Sequence, residues 1–219
     1  MNESSKSRLW FDAAQRAALA GRVLDIGAGA DPVTPGAVVF DTPQGDANRI
    51  TAFAPESFDC VYSSHCLEHM HDPEATLANW WSLVKPGGCL FFIVPDEDLY
   101  EQGVFPSRFN ADHKSTFTLT KKRSWSPRSF NVLALCAALP GGSVESACLN
   151  DIGYDRGLAF HGPAVRGVLR RVRRVYESLN KRGLWPPSAS WERATASTAV
   201  RDQTAGVAMA QIETIVRKG

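Results

Sequence analysis

The stretch RVLDIGAGADP, residues 22–32, is a short apolar run that ends in glycines. Such a run is typical of a buried strand that enters a tight loop. Two similar runs follow, AVVFD at 37–41 and FDCVYSS at 58–64, and CLFFIVPD at 89–96 is apolar almost throughout. Continuous apolar runs indicate strands covered on both faces, as in parallel sheets. The sequence therefore predicts a parallel sheet whose first strand leads into a glycine loop.

A helix is predicted between the third and fourth of these strands. Asp72 supplies an N-cap and Pro73 a first-turn proline. Apolar residues then recur at helical spacing, at Leu77, Trp80, Trp81 and Val84. Strands that alternate with helices and short Gly/Pro turns indicate an α/β sheet built from right-handed crossovers.

The remaining segments are less uniform. Apolar positions at helical spacing predict helices over 8–20, 127–139 and 164–181, and the last of these carries its basic residues largely off the apolar stripe. Strands are predicted at 143–149 and at 208–218, where Ile212 and Val216 alternate with charged residues. Residues 185–206 are rich in Pro, Ser, Thr and Ala without periodicity, which indicates a loop or lid.

Composition narrows the class of protein. The 219 residues are 44% apolar and 21% charged with a formal net charge of +1, as in an ordinary globular protein. The five cysteines form no C-x-x-C pair, and no apolar run reaches the length of a membrane span. We expect a cytoplasmic protein, a monomer or homodimer, with reduced cysteines and no membrane partner. The near-neutral charge gives no overall attraction to nucleic acid, although local basic patches remain open.

The glycine loop and the acid at the end of the second strand indicate a ligand site. Ligands of open parallel sheets lie outside the carboxyl ends of the strands. Gly27 and Gly29 let the backbone approach a ligand, and Asp41 can accept hydrogen bonds from ribose hydroxyls. A dinucleotide site would need G-x-G-x-x-G at the start of a long helix, and Asp25 would repel a pyrophosphate. Acids at both strands around a glycine turn fit S-adenosylmethionine instead.

These residues resemble a known family, the class I S-adenosylmethionine-dependent methyltransferases of the small type 11 group. The matching stretches are VLDIGAG (23–29), VFD (39–41), GDA (45–47), FDCVYSSHCLEH (58–69), LVKPGG (83–88) and AQIETIVRK (210–218). The resemblance implies a Rossmann-like, doubly wound, mostly parallel sheet of seven strands or slightly fewer, with an antiparallel C-terminal strand. It also implies a single methyltransferase domain over residues 1–219, with 97–125 and 153–206 as loops or an insertion on the substrate side.

The resemblance implies roles for eight residues in binding S-adenosylmethionine. Gly27, Gly29 and Asp25 would meet its amino-acid part, and Asp41 its ribose hydroxyls. The remaining four are assigned in pairs, Asp46 and Ala47 to the adenine, Ser64 and His65 to the methionine moiety. One departure from the family pattern is that Asp31 replaces the third glycine of the loop.

The segment after the fourth strand offers the catalytic candidates. Methyl transfer to a hydroxyl needs a base within hydrogen-bond reach. His113, oriented by Asp112 or Asp96, is the predicted base, and Asp96 is itself the second candidate. The family's N/D-P-P-[YFW] signature is missing, which favours O-methylation of a small natural-product or glycan-type acceptor. Two alternatives stay open: methylation of RNA or protein on the basic helix 164–182, and a non-catalytic S-adenosylmethionine-binding subunit.

A metal site is the remaining alternative. His65, Glu68 and His69 have the H-x-x-E-H spacing of an inverted zinc-protease signature. A zinc site of that kind needs a stable helix and a third ligand. Here the motif directly follows a strand, and a new helix begins at Asp72. We therefore expect no metal, with Glu68 and His69 as scaffold of a strand-to-helix turn.

Overall fold

A six-stranded sheet organises the chain. The computed structural model describes residues 3–158, 163–186, 188 and 201–219, without the side chains of 158, 163–166, 169 and 170. The strands of the main sheet are β1 (Val23–Ile26), β2 (Val38–Phe40), β3 (Phe58–Ser64), β4 (Val84–Pro95), β7 (Gly142–Asn150) and β8 (Gln211–Lys218). A second, two-stranded parallel sheet pairs β5 (Thr116–Thr118) with β6 (Ser129–Asn131).

The strand order of the main sheet is β2-β1-β3-β4-β8-β7. The first four strands are parallel, and β8 runs antiparallel to both of its neighbours. The prediction of a mostly parallel sheet with an antiparallel C-terminal strand is confirmed. The chain passes from β1 to β2 on one side and then to β3 on the other, so the strand order reverses at β1. A crevice at such a reversal is where open α/β sheets bind ligands.

The helices of the first half of the chain are short, and side chains cap the second and the third. They are α1 (Glu3–Arg8), α2 (Ala13–Ala18) and α3 (Pro73–Ser82). The Asp72 carboxylate accepts the N–H groups of Glu74 and Ala75 and so caps α3 as predicted. Trp80 and Trp81 of this helix are buried against the sheet. Burying two such large aromatic side chains is what anchors α3 to the sheet.

Three predicted elements differ from the structure. The helix expected at 8–20 is shorter and begins later, as α2, because Asp12 forms a capping box with Gln15, while α1 precedes it and ends at Arg8. The helix expected at 127–139 begins later, as α4 (Val132–Ala137), because Ser129–Asn131 pairs as β6 and Asn131 caps the helix. The strand expected at 89–96 begins earlier, as β4 at Val84, so Val84 belongs to the strand rather than to the apolar face of the preceding helix.

Helix α5 (Pro163–Lys181) confirms the amphipathic helix predicted at 164–181. Most of the segment expected to form a loop or lid lies outside the described residues, which resume at 201. Among the described helices, α5 included, none is long and apolar enough to cross a membrane.

Helix α1 fixes the glycine loop in place. Residues 27–37 contain no helix, as the sequence predicts. The Ser5 N–H donates to the Asp31 carboxylate at 2.7 Å, and Arg8 Nη1 donates to the Val33 carbonyl at 3.1 Å. Lys6 Nζ reaches the Thr204 carbonyl at 2.7 Å. The amino-terminal helix therefore ties the loop after β1 to the segment before β8.

Candidate active site

A cleft of about 600 Å³ opens at the carboxyl ends of the first three strands. We call it the strand-end cleft. Its walls include five of the residues predicted to bind a ligand, namely Gly27, Asp41, Asp46, Ala47 and His65. They come from the glycine loop, the end of β2, the following turn and the end of β3. The cleft therefore lies where the strand order reverses.

The Asp41 carboxylate braces the glycine loop. It accepts the Gly29 N–H at 2.7 Å and the Thr42 N–H at 2.6 Å. The Asp41 N–H donates to Gln44 Oε1 at 2.9 Å, which fixes the turn after β2. A carboxylate has about four lone-pair sites, so two backbone donors leave capacity for a ligand's hydroxyl groups.

Both the backbone conformation and the neighbouring Cys66 require a glycine at position 27. Its φ of +78° is unfavourable for a residue with a side chain, and a Cβ there would lie 2.9 Å from the Cβ of Cys66. The Gly27 N–H donates to the Phe40 carbonyl at 2.8 Å, which pins the loop to the end of β2. The loop is thereby held open at the floor of the strand-end cleft.

Asp25 lies beneath this loop and is fully buried. Its Oδ2 accepts the Val33 N–H at 2.6 Å, while its Oδ1 has no hydrogen-bond partner among the described residues. Burial raises the pKa of this carboxyl to about 7, against the opposing effect of the Val33 hydrogen bond. Asp25 itself does not line the cleft. It therefore has one unsatisfied oxygen and holds its proton up to nearly neutral pH.

Two more of the predicted residues differ in their access to the cleft. Asp46 is exposed and accepts both the side-chain and the backbone N–H of Asn48, which hold its pKa below the usual value. Ala47 accepts the Trp80 indole N–H through its carbonyl at 2.9 Å, so the adjacent wall is anchored to α3. Ser64 is buried and lines neither this cleft nor the cavity behind it.

A second cavity, of about 260 Å³, lies on the other side of His65, and we call it the inner cavity. Both cavities are lined by His65 and His69, which therefore form their common wall. The other walls come from segments far apart in the chain, among them Glu3, Tyr100, His113, Asp202 and Gln211. The inner cavity is thus assembled by the fold and not by any single stretch of sequence.

His65 lies between an amide and a carboxylate in this wall. Gln211 donates from Nε2 to Glu213 and to Ser7, so its Oε1 is turned to accept from His65 Nε2 at 3.0 Å. His65 Nδ1 faces Glu68 Oε1 at 3.4 Å. Burial by itself lowers the pKa of the imidazole, but the neighbouring Glu68 carboxylate outweighs it and raises the pKa to about 9.

His113 is placed as the predicted base should be. It is buried, and its Nδ1–H donates to Glu101 Oε1 at 2.7 Å. A carboxylate can only accept, so this bond fixes the tautomer and leaves the Nε2 lone pair available in the inner cavity. Tyr100 stacks on the ring at a centroid distance of 5.2 Å. The imidazole is therefore oriented at one nitrogen and clamped on one face.

The orienting carboxylate is not the one predicted. Asp112 pairs instead with His69 at 2.9 Å and Lys114 at 3.0 Å. Asp96 caps the turn after β4 by accepting the N–H groups of Asp98 and Leu99, and it lines neither cavity. Burial raises the pKa of Asp96 to about 6. The structure therefore brings His113 to the inner cavity and leaves Asp96 outside it.

A carboxylate shared between histidines completes the inner wall. Glu68 is fully buried, and neither of its oxygens has a hydrogen-bond partner among the described residues. Its Oε1 lies 3.4 Å from His65 Nδ1 and 3.9 Å from His113 Nε2. Burial raises its pKa, but His65 opposes this more strongly, so that the pKa is lowered. Glu68, His69 and His113 place ligand atoms within 4.8 Å of one another and could hold a metal ion.

The sequence did not reveal Glu68, Glu101 or Gln211 as site residues. Glu101 had a local signal, since it lies one helical turn past Asp96 in an acid-rich segment that leaves the sheet edge. Gln211 begins the last strand, and only its pairing beside Pro95 brings it to His65. No spacing in the sequence predicts that contact.

Comparison with known proteins agrees with this geometry. A family described as a methyltransferase domain matches residues 3–134. A ubiquinone biosynthesis O-methyltransferase of Pseudomonas putida (strain GB-1) is 34% identical over 38% of this chain and 47% of the relative. One of the same name from Stutzerimonas stutzeri (strain A1501) is 43% identical over 24% of this chain and 23% of the relative. The chain thus spans about half the length, or less, of these curated relatives.

Among solved structures, a Galdieria sulphuraria protein provisionally named a sarcosine dimethylglycine methyltransferase superposes with a TM-score of 0.51 at 10% identity. The alignment covers 98% of this chain and 84% of that one. At this identity the likeness concerns the fold alone.

Proposed function

Because this chain belongs to the methyltransferase-domain family, we propose that it is a class I S-adenosylmethionine-dependent methyltransferase that methylates a hydroxyl group of a small molecule. The observation that carries the proposal is the common wall of the two cavities. A cofactor-sized cleft and a small inner cavity meet at His65, and a base oriented by a carboxylate lies in the inner one.

The strand-end cleft fits S-adenosylmethionine. Gly27 lines the cleft, so a ligand can lie against its backbone. Asp25 is buried beneath this loop and would support the loop under the ammonium group rather than contact that group directly. Asp41 would take the ribose hydroxyls, and Asp46 and Ala47 the adenine. Gly29 supports Asp41 through its N–H, and Ser64 supports the strand end before His65. Bound S-adenosylmethionine supplies an electrophilic methyl group on a sulfonium.

The chain's own contribution to the chemistry is alignment and proton removal. Transfer of a methyl group is an in-line displacement, in which holding the two reactants in the right geometry accounts for much of the rate. His113 Nε2 takes the proton from the acceptor hydroxyl, and Glu101 stabilises the imidazolium that results. Tyr100 keeps the ring in place. Asp96 is too engaged as a cap to serve as this base.

The size and polarity of the inner cavity set the acceptor class. A volume of about 260 Å³ holds a molecule smaller than most drug-sized ligands. Its walls carry Glu3, Asp202 and three histidines, so a polar, hydroxylated acceptor fits better than an apolar one. The names of the curated relatives support an oxygen as the methyl acceptor.

Transfer of isotope-labelled methyl groups tests this function. The full chain is incubated with methyl-labelled S-adenosylmethionine and pools of small sugars, phenols and hydroxy acids, and the labelled product is identified. Label in a hydroxylated small molecule supports the proposal. Stabilisation by S-adenosylhomocysteine without transfer to any pool would indicate a non-catalytic binding subunit. Transfer to RNA or protein alone would indicate the macromolecular alternative.

A metal-assisted form of the same reaction is the second candidate. It is favoured by the cluster of Glu68, His69 and His113, in which neither oxygen of the carboxylate accepts a hydrogen bond from any of the described residues. A metal ion there would lower the pKa of the acceptor hydroxyl in place of a base. Metal analysis of the purified chain, before and after chelation, separates the two candidates. Activity that survives complete removal of metal leaves His113 as the base.

A further inference from the structure

Helix α5 presents an apolar stripe to solvent. At 3.6 residues per turn, Val168, Val172, Val175 and Leu179 fall within roughly 60° of the helix surface. Val168 is 62% exposed and Val175 60% exposed. Leu184, just past the helix, is 69% exposed, and Trp185 is 41% exposed. Exposed apolar side chains that line up in this way mark an interaction surface more often than scattered ones do.

The stripe leads into an apolar recess. A cavity of about 280 Å³ is lined by Val172, Val175, Tyr176, Leu179 and Trp185, with Arg171 at its edge. The Ser188 N–H donates to the Tyr176 hydroxyl at 3.0 Å, and Asn180 donates to the Trp185 carbonyl at 3.2 Å, so the recess is held by local contacts. Its walls are almost wholly hydrocarbon, which suits an aliphatic group.

Basic residues flank this stripe. Residues 163–186 contain seven basic residues and one acid, whereas the whole chain carries a net charge of +1, so the rest of the chain is net negative. The acid, Glu177, is paired with Arg173 at 2.8 Å on the opposite face. Arg171 and Arg174 are exposed, and Arg171 lies roughly 40° from Val175 around the helix.

We propose that α5 and the following Leu184–Trp185 form a docking surface for an anionic lipid bilayer, on which the helix lies in the plane of the headgroups. An amphipathic helix with Lys and Arg beside an apolar face that contains Trp binds membranes in this way. The basic flank complements anionic headgroups, and the valines and Leu184 enter the acyl boundary. RNA would be complementary to the arginines but not to the aliphatic stripe between them, so the bilayer fits both halves of the surface.

Co-sedimentation with vesicles tests the proposal. The full chain is mixed with vesicles of phosphatidylcholine alone or of phosphatidylcholine with phosphatidylglycerol. We expect binding to the anionic vesicles only, weakened by salt. Removing one exposed arginine should weaken binding about fivefold, so Arg171→Gln with Arg174→Gln should lower it about 25-fold. Arg123→Gln, an exposed arginine elsewhere in the chain, is the matched control and should bind normally.

A matched pair of variants tests the contribution of the apolar stripe to vesicle binding. Val175→Asp should abolish vesicle binding, while Val207→Asp, at a valine that is 66% exposed outside the helix, should leave it unchanged. Val168→Asp serves as a second test of the stripe, and circular dichroism checks that each variant is folded. The proposal is overturned if the chain stays in the supernatant with anionic vesicles. It is also overturned if Val175→Asp and Val207→Asp bind these vesicles equally well. RNA binding lost with the arginines but kept in Val175→Asp would overturn it in favour of a nucleic acid partner.

Discussion

The strand-end cleft and the inner cavity share a wall but are built in different ways. The cleft is made mostly by residues between 27 and 71, with Asp112 and Lys114 added from a later segment, largely through backbone groups and acids at strand ends. The inner cavity draws on side chains from Glu3 to Gln211, and its polar groups are held by long-range partners. The first is a site that a loop motif can encode, whereas the second exists only once the chain has folded.

This difference separates the kinds of specificity that each region supplies. A cleft formed by glycine backbone and strand-end acids suits one ligand shape that many proteins share. A cavity formed by distant side chains can change with any one of them without disturbing the sheet. The following changes test that division, from the largest expected effect to the smallest.

The sharpest test of the inner cavity is His113→Ala. We expect turnover to fall by about 10²–10⁴ with cofactor binding unchanged, because a general base contributes on that scale. Turnover is measured with the acceptor found by label transfer, and binding with S-adenosylhomocysteine. Asp96→Asn is the matched control, because the amide can still cap the turn, and it should retain turnover. Normal turnover in His113→Ala together with a large loss in Asp96→Asn would show that Asp96, and not His113, is the base.

The buried acid of the cleft, Asp25, makes stability depend on pH. Its folded pKa of about 7 lies above the value of an unfolded aspartate, so the folded state keeps a proton that the unfolded chain releases. The contribution of Asp25 to the free energy of unfolding is therefore fully present below about pH 4 and is lost as the pH rises to 7. The loss amounts to about 4 kcal/mol at most. Asp25→Asn should remove this loss.

Denaturant unfolding at pH 4 to 8 measures that effect. The free energy of unfolding of Asp25→Asn, relative to that of the original chain, should increase as the pH rises through this window. Above the window the difference between the two should be constant. Parallel curves throughout would show that Asp25 is ionised in the folded state.

The packing of the glycine loop can be separated from its backbone conformation by two alanine variants. Gly27 and Gly87 have φ of +78° and +75°, so both substitutions carry the same left-handed penalty of about 1–2 kcal/mol. Only Gly27→Ala also meets Cys66, because nothing lies within 4 Å of the corresponding Cβ at Gly87. We expect Gly27→Ala to be less stable than Gly87→Ala by about 1–3 kcal/mol. Equal losses would show that the cleft floor adapts.

Asp41→Ala addresses the polar edge of the cleft. Loss of the ribose bonds should weaken binding of S-adenosylhomocysteine about ten- to a hundredfold, by calorimetry. Asp46→Ala, also at the cleft but exposed and braced only by Asn48, should have the smaller effect. If Asp46→Ala weakens binding more than Asp41→Ala does, the assignment of Asp41 to the ribose and Asp46 to the adenine is reversed. Neither change should alter a binding event confined to the inner cavity.

Local signals were enough for the sheet and the cleft because each depends on neighbours in sequence. The apolar runs at 22–26 and 89–95 became central strands, and Asp72 and Pro73 started α3 as predicted. The break between α1 and α2 could also have been found, since Asp12 and Gln15 have the spacing of a capping box. The helix at 127–139 was misplaced because pairing with β5 overrode local propensity at 129–131.

The sequence by itself determined the mostly parallel sheet, the glycine loop, Asp41 at the end of β2 and His113 as a candidate base. Those features follow from residue spacing and backbone sterics, which act over a few residues. Only the tertiary structure decided that Glu101 orients His113, that Gln211 holds His65, and that Glu68 is buried between the histidines. The contact of Gln211 with His65 depends on the pairing of β8 with β4, and the approach of His113 to Glu68 depends on the segment at 113–115, whose backbone N–H groups at 114 and 115 donate to the Glu68 carbonyl. Spacing in the sequence predicts neither contact.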